Sequence, residues 1–203
     1  MPRDHGAGKG AGEGRGMKLY LLSVKELQDG IVTRERCLEK LDSHRRKKAE
    51  QLKAPEAKAL SIGAGLLLQL VWAEREEGHL GKVGIPMDGF SAKEQSVEVE
   101  TPVMEQFSVT QLLDRLDGAH APQELIYGYD AKGKPQFADN LGGTIGFPCF
   151  NLSHSGEYVC CAAGIEEVGI DIQQMRPLKN LRVAERYFSK REQETLAACQ
   201  DWQ

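Results

Sequence analysis

The sequence predicts an α+β fold, because strand-type and helix-type patterns both occur along its 203 residues. Residues 17–24, MKLYLLSV, form an aliphatic run of strand length. Residues 56–72 place apolar side chains three and four positions apart, which is the period of an α-helix. Residues 147–172 carry short apolar runs separated by turn residues, which predicts further strands. A chain of this length can bury a core as one domain or as two small ones.

The composition argues against several classes of protein. The net charge is −4, which does not favour a dedicated nucleic-acid binder. No apolar run is long enough to cross a bilayer, and the start of the chain lacks the apolar segment of a secretory signal. Five cysteines without CxxC spacing are interpreted as buried thiols in a reducing compartment. We therefore expect a cytoplasmic protein without membrane or nucleic-acid partners. Composition does not determine the oligomeric state, and we expect a monomer.

The N-terminal part of the chain predicts a tail followed by a strand and a basic helix. Residues 1–16 alternate glycine with small or charged residues, so we expect a disordered tail and treat Met17 as a candidate natural start. Residues 34–53 have a helical period and carry four consecutive basic side chains, residues 45–48. A solvated helix surface is the simpler explanation of this basic run, and an anion-binding face is the alternative.

A second helix begins at Pro55 and is the most apolar helix of the chain. Proline suits the first turn of a helix, where its missing N–H is not needed. Gly63 and Gly65 weaken the helix locally but allow close approach of a neighbouring element. We expect this helix to form the core of a first lobe.

The domain prediction has two lobes and an insertion. Residues 78–123 are rich in glycine, proline and charge, so we expect a long loop or loosely attached insertion containing one short helical pattern, VTQLLDRL. The N-terminal lobe is predicted to span residues 17–140, and the C-terminal lobe residues 141–203.

Residues 147–192 carry the most informative pattern. Two strands separated by a turn at residues 153–156, a tight turn and a third strand at residues 168–172 are predicted, followed by helices. Ser189 and Glu192 match a capping box at the start of the last helix. We therefore expect Glu192 to cap that helix and not to act in catalysis.

Three groups of polar residues in the C-terminal half could take part in chemistry. Asp171 and Gln173 are two apart on the predicted third strand and offer hard oxygen ligands of the kind that Mg²⁺ accepts. Ser153 and His154 stand beside a glycine and could hold a phosphate, as could Lys134 in an upstream turn. A solvent-facing strand and two ordinary polar turns explain the same residues without a function. No spacing indicates a Ser-His-Asp triad.

The order of these motifs resembles a known family. FNLSHSGEYVCCAA, VGIDIQ, RPL and AERYFSKRE follow one another, and GKP precedes them. This order resembles the 4′-phosphopantetheinyl transferases of the larger, surfactin-synthetase-activating (Sfp-like) type. The resemblance implies a pseudo-dimer of two similar α/β lobes, with the second lobe incomplete. It also implies transfer of 4′-phosphopantetheine from coenzyme A to a serine of an acyl, peptidyl or aryl carrier protein, with Mg²⁺ and with release of 3′,5′-ADP.

The resemblance also assigns roles to residues. Asp171 matches the Mg²⁺-binding aspartate and is the expected catalytic residue, and Gln173 stands where many members have a second metal-binding acid. The residues matched to coenzyme A phosphates are Lys134, Ser153, His154 and, less closely, Lys47, which corresponds to a 3′-phosphate contact.

Two departures from the family pattern leave alternatives open. Gln173 removes one negative charge, which should weaken Mg²⁺ binding. The chain stops at Gln203, before the family's Trp-x-x-Lys-Glu motif could appear. We therefore expect a C-terminally shortened chain with little or no activity by itself. The alternatives are an inactive remnant that binds coenzyme A or a carrier protein, and an unrelated interaction module built on the basic helix.

Overall fold

The computed structural model describes residues 17–77, 80, 104–118, 122–139, 147–175 and 182–198. The chain divides into two compact units, residues 1–172 and residues 173–203. The predicted N-terminal tail and most of the predicted loop before residue 104 lie outside the described residues. None of the helices in the described ranges has the length and hydrophobicity that crossing a membrane requires.

The described residues of the first unit form a four-stranded sheet. Its strands are β1 (Lys18–Ser23), β2 (Met104–Ser108), β5 (Cys149–Ser155) and β6 (Tyr158–Gly164), and their order in the sheet is β2-β1-β6-β5. Strand β1 pairs in parallel with β2, while β6 is antiparallel to both β1 and β5. A separate hairpin pairs β3 (Tyr127–Tyr129) with β4 (Pro135–Phe137).

The described residues of the first unit include five helices. They are α1 (Lys25–Gln28), α2 (Arg34–Leu38), α3 (Ser43–Gln51), α4 (Pro55–Glu76) and α5 (Val109–Gly118). Helix α4 is the centre of the core, and it starts with Pro55 at its first position, as predicted. Leu67 and Val71 on α4 are fully buried together with Tyr20 and Leu22 of β1. The mixture of helices and strands confirms the α+β prediction.

Gly63 of α4 allows the helix to lie directly against the sheet, as the sequence predicts. A Cβ atom at this position would stand 2.6 Å from Cγ1 of Val24 and 3.2 Å from Cδ2 of Leu22. Both distances are shorter than van der Waals contact, so a larger side chain requires the core to move. The absence of a side chain at Gly63 therefore sets the distance between α4 and β1.

We expect Gly63→Ala to lower the free energy of unfolding by about 1–3 kcal/mol, the usual cost of overpacking a core. Urea unfolding followed by circular dichroism measures the change. Gly118→Ala is the matched control, because a Cβ atom there meets no atom within 4 Å. Alanine at Gly118 should leave stability unchanged or raise it by up to about 1 kcal/mol. Equal stabilities of the two variants would contradict the close-packing argument.

The structure corrects the prediction of one continuous helix over residues 34–53. Helix α2 ends at Leu38 and α3 begins at Ser43. The side chain of Asp42 accepts a hydrogen bond of 2.8 Å from the backbone N–H of Arg45, which makes Asp42 the N-cap of α3. The helical period of the sequence continues across the break, but the cap starts a new helix.

The sequence also missed a strand. Residues 104–108, assigned to a loop, form β2 and are the parallel neighbour of β1. The following helical pattern, VTQLLDRL, is confirmed as α5, whose Val109, Leu112 and Leu113 are fully buried. This part of the chain therefore belongs to the core of the first unit.

The second unit contains α6 (Arg182–Tyr187) and α7 (Lys190–Ala198). The capping box predicted at the start of α7 is confirmed. The backbone N–H of Ser189 donates to Oε2 of Glu192 at 2.7 Å, and the backbone N–H of Glu192 donates to Oγ of Ser189 at 3.4 Å. The bonds to Ser189 hold the pKa of Glu192 below its ordinary value. Glu192 is thus a capping residue.

The sheet joins strands from both sides of residue 140, because β1 pairs with β6. The predicted lobe boundaries and the similarity of the two lobes stay predictions.

Candidate functional site

The candidate site is built on β5 and on residues 168–172. The prediction of a third strand at residues 168–172 is wrong, because this segment has no regular secondary structure. The predicted alternation is nevertheless present: Ile170 and Ile172 are half-buried, and Asp171 is exposed. The backbone N–H groups of this segment bind side chains of β5 where a strand would bind carbonyl groups.

Ser153 connects β5 directly to Asp171. The hydroxyl of Ser153 donates to Oδ1 of Asp171 at 2.7 Å and accepts from the backbone N–H of Ile172 at 3.2 Å. Two residues earlier on β5, Oδ1 of Asn151 accepts from the N–H of Ile170 at 3.1 Å. The predicted site residues Ser153 and Asp171 are therefore brought together.

Lys134 reaches the same segment from the turn between β3 and β4. The side chain of Asp130 accepts from the backbone N–H groups of Lys132 and Lys134, both at 2.8 Å, and Gly133 has a φ of 81°. These bonds, that of Lys134 first, hold the pKa of Asp130 below its ordinary value. The ammonium group of Lys134 donates to the carbonyl of Val168 at 2.8 Å. Lys134 thus lies beside the segment that carries Asp171.

His154 differs from the prediction in its local structure. Residues 153–155 were expected in a turn, but β5 continues through Ser155, and the turn consists of Gly156 and Glu157. Successive residues of a strand point to opposite faces, so His154 and its neighbour Ser153 face away from each other. His154 is exposed. The two residues that the sequence treats as one phosphate-holding pair are therefore separated by the strand.

Gln173 and Lys47 are the remaining predicted site residues. Gln173 is exposed and belongs to the second unit, so its pairing with Asp171 as an oxygen ligand stays a prediction. Lys47 is exposed on α3. It follows the buried Arg45 by two positions, a spacing that puts the two side chains on different sides of a helix. Lys48, three positions after Arg45, lies on the Arg45 side.

Sequence reasoning missed a buried cluster around Arg45. Arg45 is only 7% exposed, its guanidinium lies 5.3 Å from the ring centre of Tyr127, and its Nε has no hydrogen-bond partner among the described residues. Oδ2 of the buried Asp42 accepts from the Tyr127 hydroxyl at 2.8 Å. Burial, followed by the Asp42 charge, raises the pKa of Tyr127 far above its ordinary value. This cluster joins the basic helix α3 to the hairpin that carries Lys134.

The available sequence signal for this cluster was Asp42, a capping residue before the basic run. The burial of Arg45 itself depends on Tyr127, which is distant in sequence.

The donor chemistry of the site fits Mg²⁺. Asp171 is exposed and supplies a hard carboxylate oxygen. Mg²⁺ commonly binds through one or two carboxylates, with waters and substrate phosphates completing its coordination. Among the residues that the structure describes, no group of three or more His, Cys, Asp and Glu side chains is arranged to hold a metal. Substrate phosphates and water are oxygen donors that would complete a Mg²⁺ site on Asp171.

Similar proteins support the family prediction. No family model matches the chain. The 4′-phosphopantetheinyl transferase Sfp of Bacillus subtilis (strain 168) is 47% identical over 49 residues, which are 24% of this chain and 21% of that protein. HetI of Nostoc sp. (strain PCC 7120) is 35% identical over 86 residues, 40% of this chain and 35% of HetI. The enzyme psf-1 of Bacillus pumilus is 38% identical over 74 residues, 36% of this chain and 29% of psf-1.

All three proteins carry the name 4′-phosphopantetheinyl transferase. The chain spans about a third or less of the length of these curated relatives. The motif order that the sequence showed is thus accompanied by partial but substantial identity to several members. Over these segments the chain is similar to 4′-phosphopantetheinyl transferases, Sfp among them.

Proposed function

We propose that this protein transfers the 4′-phosphopantetheine group of coenzyme A to a serine of an acyl, peptidyl or aryl carrier protein and releases 3′,5′-ADP. The observation that carries the proposal is that Lys134 and Ser153 both bind residues 168–172, the segment that carries Asp171. A cation bound to the segment that also carries a carboxylate suits a diphosphate with its metal ion. The names of the relatives support the same reaction. We further propose a two-lobed pseudo-dimer fold and a monomer that acts in the cytoplasm.

The phosphate groups of coenzyme A would be held by basic and polar side chains. The ammonium group of Lys134 has three N–H donors, so its bond to Val168 leaves capacity for a phosphate oxygen. His154 is exposed and can donate to a second oxygen, and Ser153 lies beside Asp171. Lys47 would contact the 3′-phosphate from α3.

Asp171, with Gln173, would hold Mg²⁺. A bound ion would supply positive charge that offsets the charge developing on the leaving 3′,5′-ADP. In the reaction, the carrier serine oxygen forms a bond to the phosphorus that bears pantetheine, and the bond from that phosphorus to 3′,5′-ADP breaks. The serine proton passes to a carboxylate or to solvent, with Asp171 as the candidate acceptor.

Transfer of a fluorescent coenzyme A derivative to apo carrier proteins tests the proposal. We expect the protein translated from its complete coding sequence to label at least one of an acyl, a peptidyl and an aryl carrier protein. Labelling should require Mg²⁺, stop with EDTA and return with excess Mg²⁺. Replacement of the carrier serine by alanine is the control for the acceptor atom. Absence of labelling on all three carriers, with coenzyme A and Mg²⁺ present, would contradict the proposed function.

A further inference from the structure

Residues 168–172 are attached to β5 by side chains, and the attachment has a regular register. Oδ1 of Asn151 accepts from the N–H of Ile170, and Oγ of Ser153 accepts from the N–H of Ile172. The two donor residues are two positions apart, and so are the two acceptor residues. The later donor binds the later acceptor. The segment therefore runs parallel to β5, above the face opposite the core side chain Phe150, which is 2% exposed.

This register determines where Asp171 stands. The N–H groups on either side of Asp171 are both bound, and its own Oδ1 accepts the Ser153 hydroxyl at 2.7 Å. The three bonds restrict the backbone before and after Asp171 as well as its side-chain torsion. Since Ile170 and Ile172 are half-buried, the segment cannot rotate without moving apolar surface into water.

We propose that Asn151 and Ser153 are positioning residues, which hold Asp171 in the orientation that metal binding requires. The inference rests on the proposed function and adds a role that the family resemblance does not assign. Ser153 has one hydroxyl hydrogen, and this hydrogen is donated to Asp171. A phosphate oxygen could receive that hydrogen only if Asp171 lost it. Ser153 thus acts through Asp171, and its replacement should affect the metal more than coenzyme A.

Hydrogen exchange at single amides, measured by NMR, tests the attachment without any assay of activity. In the unmodified protein the amides of Ile170 and Ile172 should both be protected. In Ser153→Ala the Ile172 amide should exchange about tenfold faster, and in Asn151→Ala the Ile170 amide should do so. Each variant provides the control for the other. Unprotected amides in the unmodified protein, or unchanged exchange in both variants, would overturn the proposal whether or not the protein is a transferase.

Metal binding provides the second measurement, with Mn²⁺ as the probe in electron paramagnetic resonance. Groups that orient a metal ligand typically contribute 10–100-fold to affinity, so Ser153→Ala should weaken Mn²⁺ binding about tenfold or more. Ser153→Thr keeps the hydroxyl and should restore binding. In the labelling assay Ser153→Ala should raise the Mg²⁺ concentration for half-maximal rate, while His154→Ala should raise KM for coenzyme A.

The two proposals fail in different ways. A raised KM for coenzyme A with unchanged Mn²⁺ binding in Ser153→Ala would show a direct phosphate contact and overturn the positioning role. Faster exchange at Ile172 and weaker Mn²⁺ binding in a protein that labels no carrier would uphold the positioning of Asp171 and contradict the transferase function. If Ser153→Ala does not fold, Asn151→Ala still tests the attachment: faster exchange at Ile170 with weaker Mn²⁺ binding would support it, and unchanged values of both would overturn it.

Discussion

Asp171→Ala is expected to reduce carrier-protein labelling by at least about a thousandfold. Asp171 is the carboxylate that accepts the Ser153 hydroxyl, and it is the acid that would bind Mg²⁺. A metal ion contributes several kcal/mol to stabilising charge in the transition state, and every 1.36 kcal/mol is a factor of ten in rate. Initial rates of labelling at saturating coenzyme A and Mg²⁺ measure the loss.

Two further variants separate charge from structure. Asp171→Asn keeps an oxygen that can accept the Ser153 hydroxyl but removes the negative charge, so it should be nearly as inactive as Asp171→Ala. Glu166→Ala is the matched control, since it removes one exposed carboxylate five residues upstream. It should label at the unmodified rate, and the melting temperatures of all three proteins should show that they fold. Unmodified rates in Asp171→Ala would refute the assignment of the metal to this residue.

The features that were predicted correctly are local in the sequence. Helix α4 is recognisable because its apolar period, its initial Pro55 and its glycines all lie within one continuous stretch. The cap formed by Ser189 and Glu192 needs only residues three apart. The residues that form such a helix or cap are neighbours in the sequence, so these features can be predicted without knowing the fold.

The features that were missed depend on contacts between distant residues. MEQFS has no clear strand alternation and becomes β2 because β1 offers an open parallel edge. Arg45 looks like one more basic surface residue, and its burial becomes visible only when Tyr127 is placed beside it. Residues 168–172 alternate in exposure as a strand does, but side chains of Asn151 and Ser153 produce that alternation. Period-two burial therefore does not by itself establish a sheet.

Stability depends on another distant contact, at Glu74 of α4. This carboxylate is 1% exposed and accepts hydrogen bonds from Nζ of Lys18 at 2.5 Å and from the Tyr20 hydroxyl at 2.7 Å. Arg115 of α5 adds a third donor at 3.4 Å. The contacts join α4 to both β1 and α5, so the loss of Glu74 affects three elements together.

We expect Glu74→Ala to lower the free energy of unfolding by about 3 kcal/mol. Breaking a buried charge pair costs roughly 3–5 kcal/mol, and the partial exposure of Lys18 and Arg115 places the value at the lower end. For a chain of this size the melting temperature should fall by roughly 6–12 °C. Differential scanning calorimetry measures it. A change below about 1 kcal/mol would show that the cluster contributes little.

The Tyr20 hydroxyl accounts for part of this cost, because Tyr20 is fully buried and would lose its acceptor. A double-mutant cycle isolates that part: Glu74→Ala should cost about 1–2 kcal/mol less in a Tyr20→Phe background.

Burial, and then the Glu74 charge, raises the pKa of Tyr20 far above its ordinary value. The unfolded chain therefore releases this proton above about pH 10 while the folded protein keeps it, and stability falls as pH rises. Tyr20→Phe should remove that part of the alkaline loss, and an unchanged alkaline slope would contradict the assignment to Tyr20.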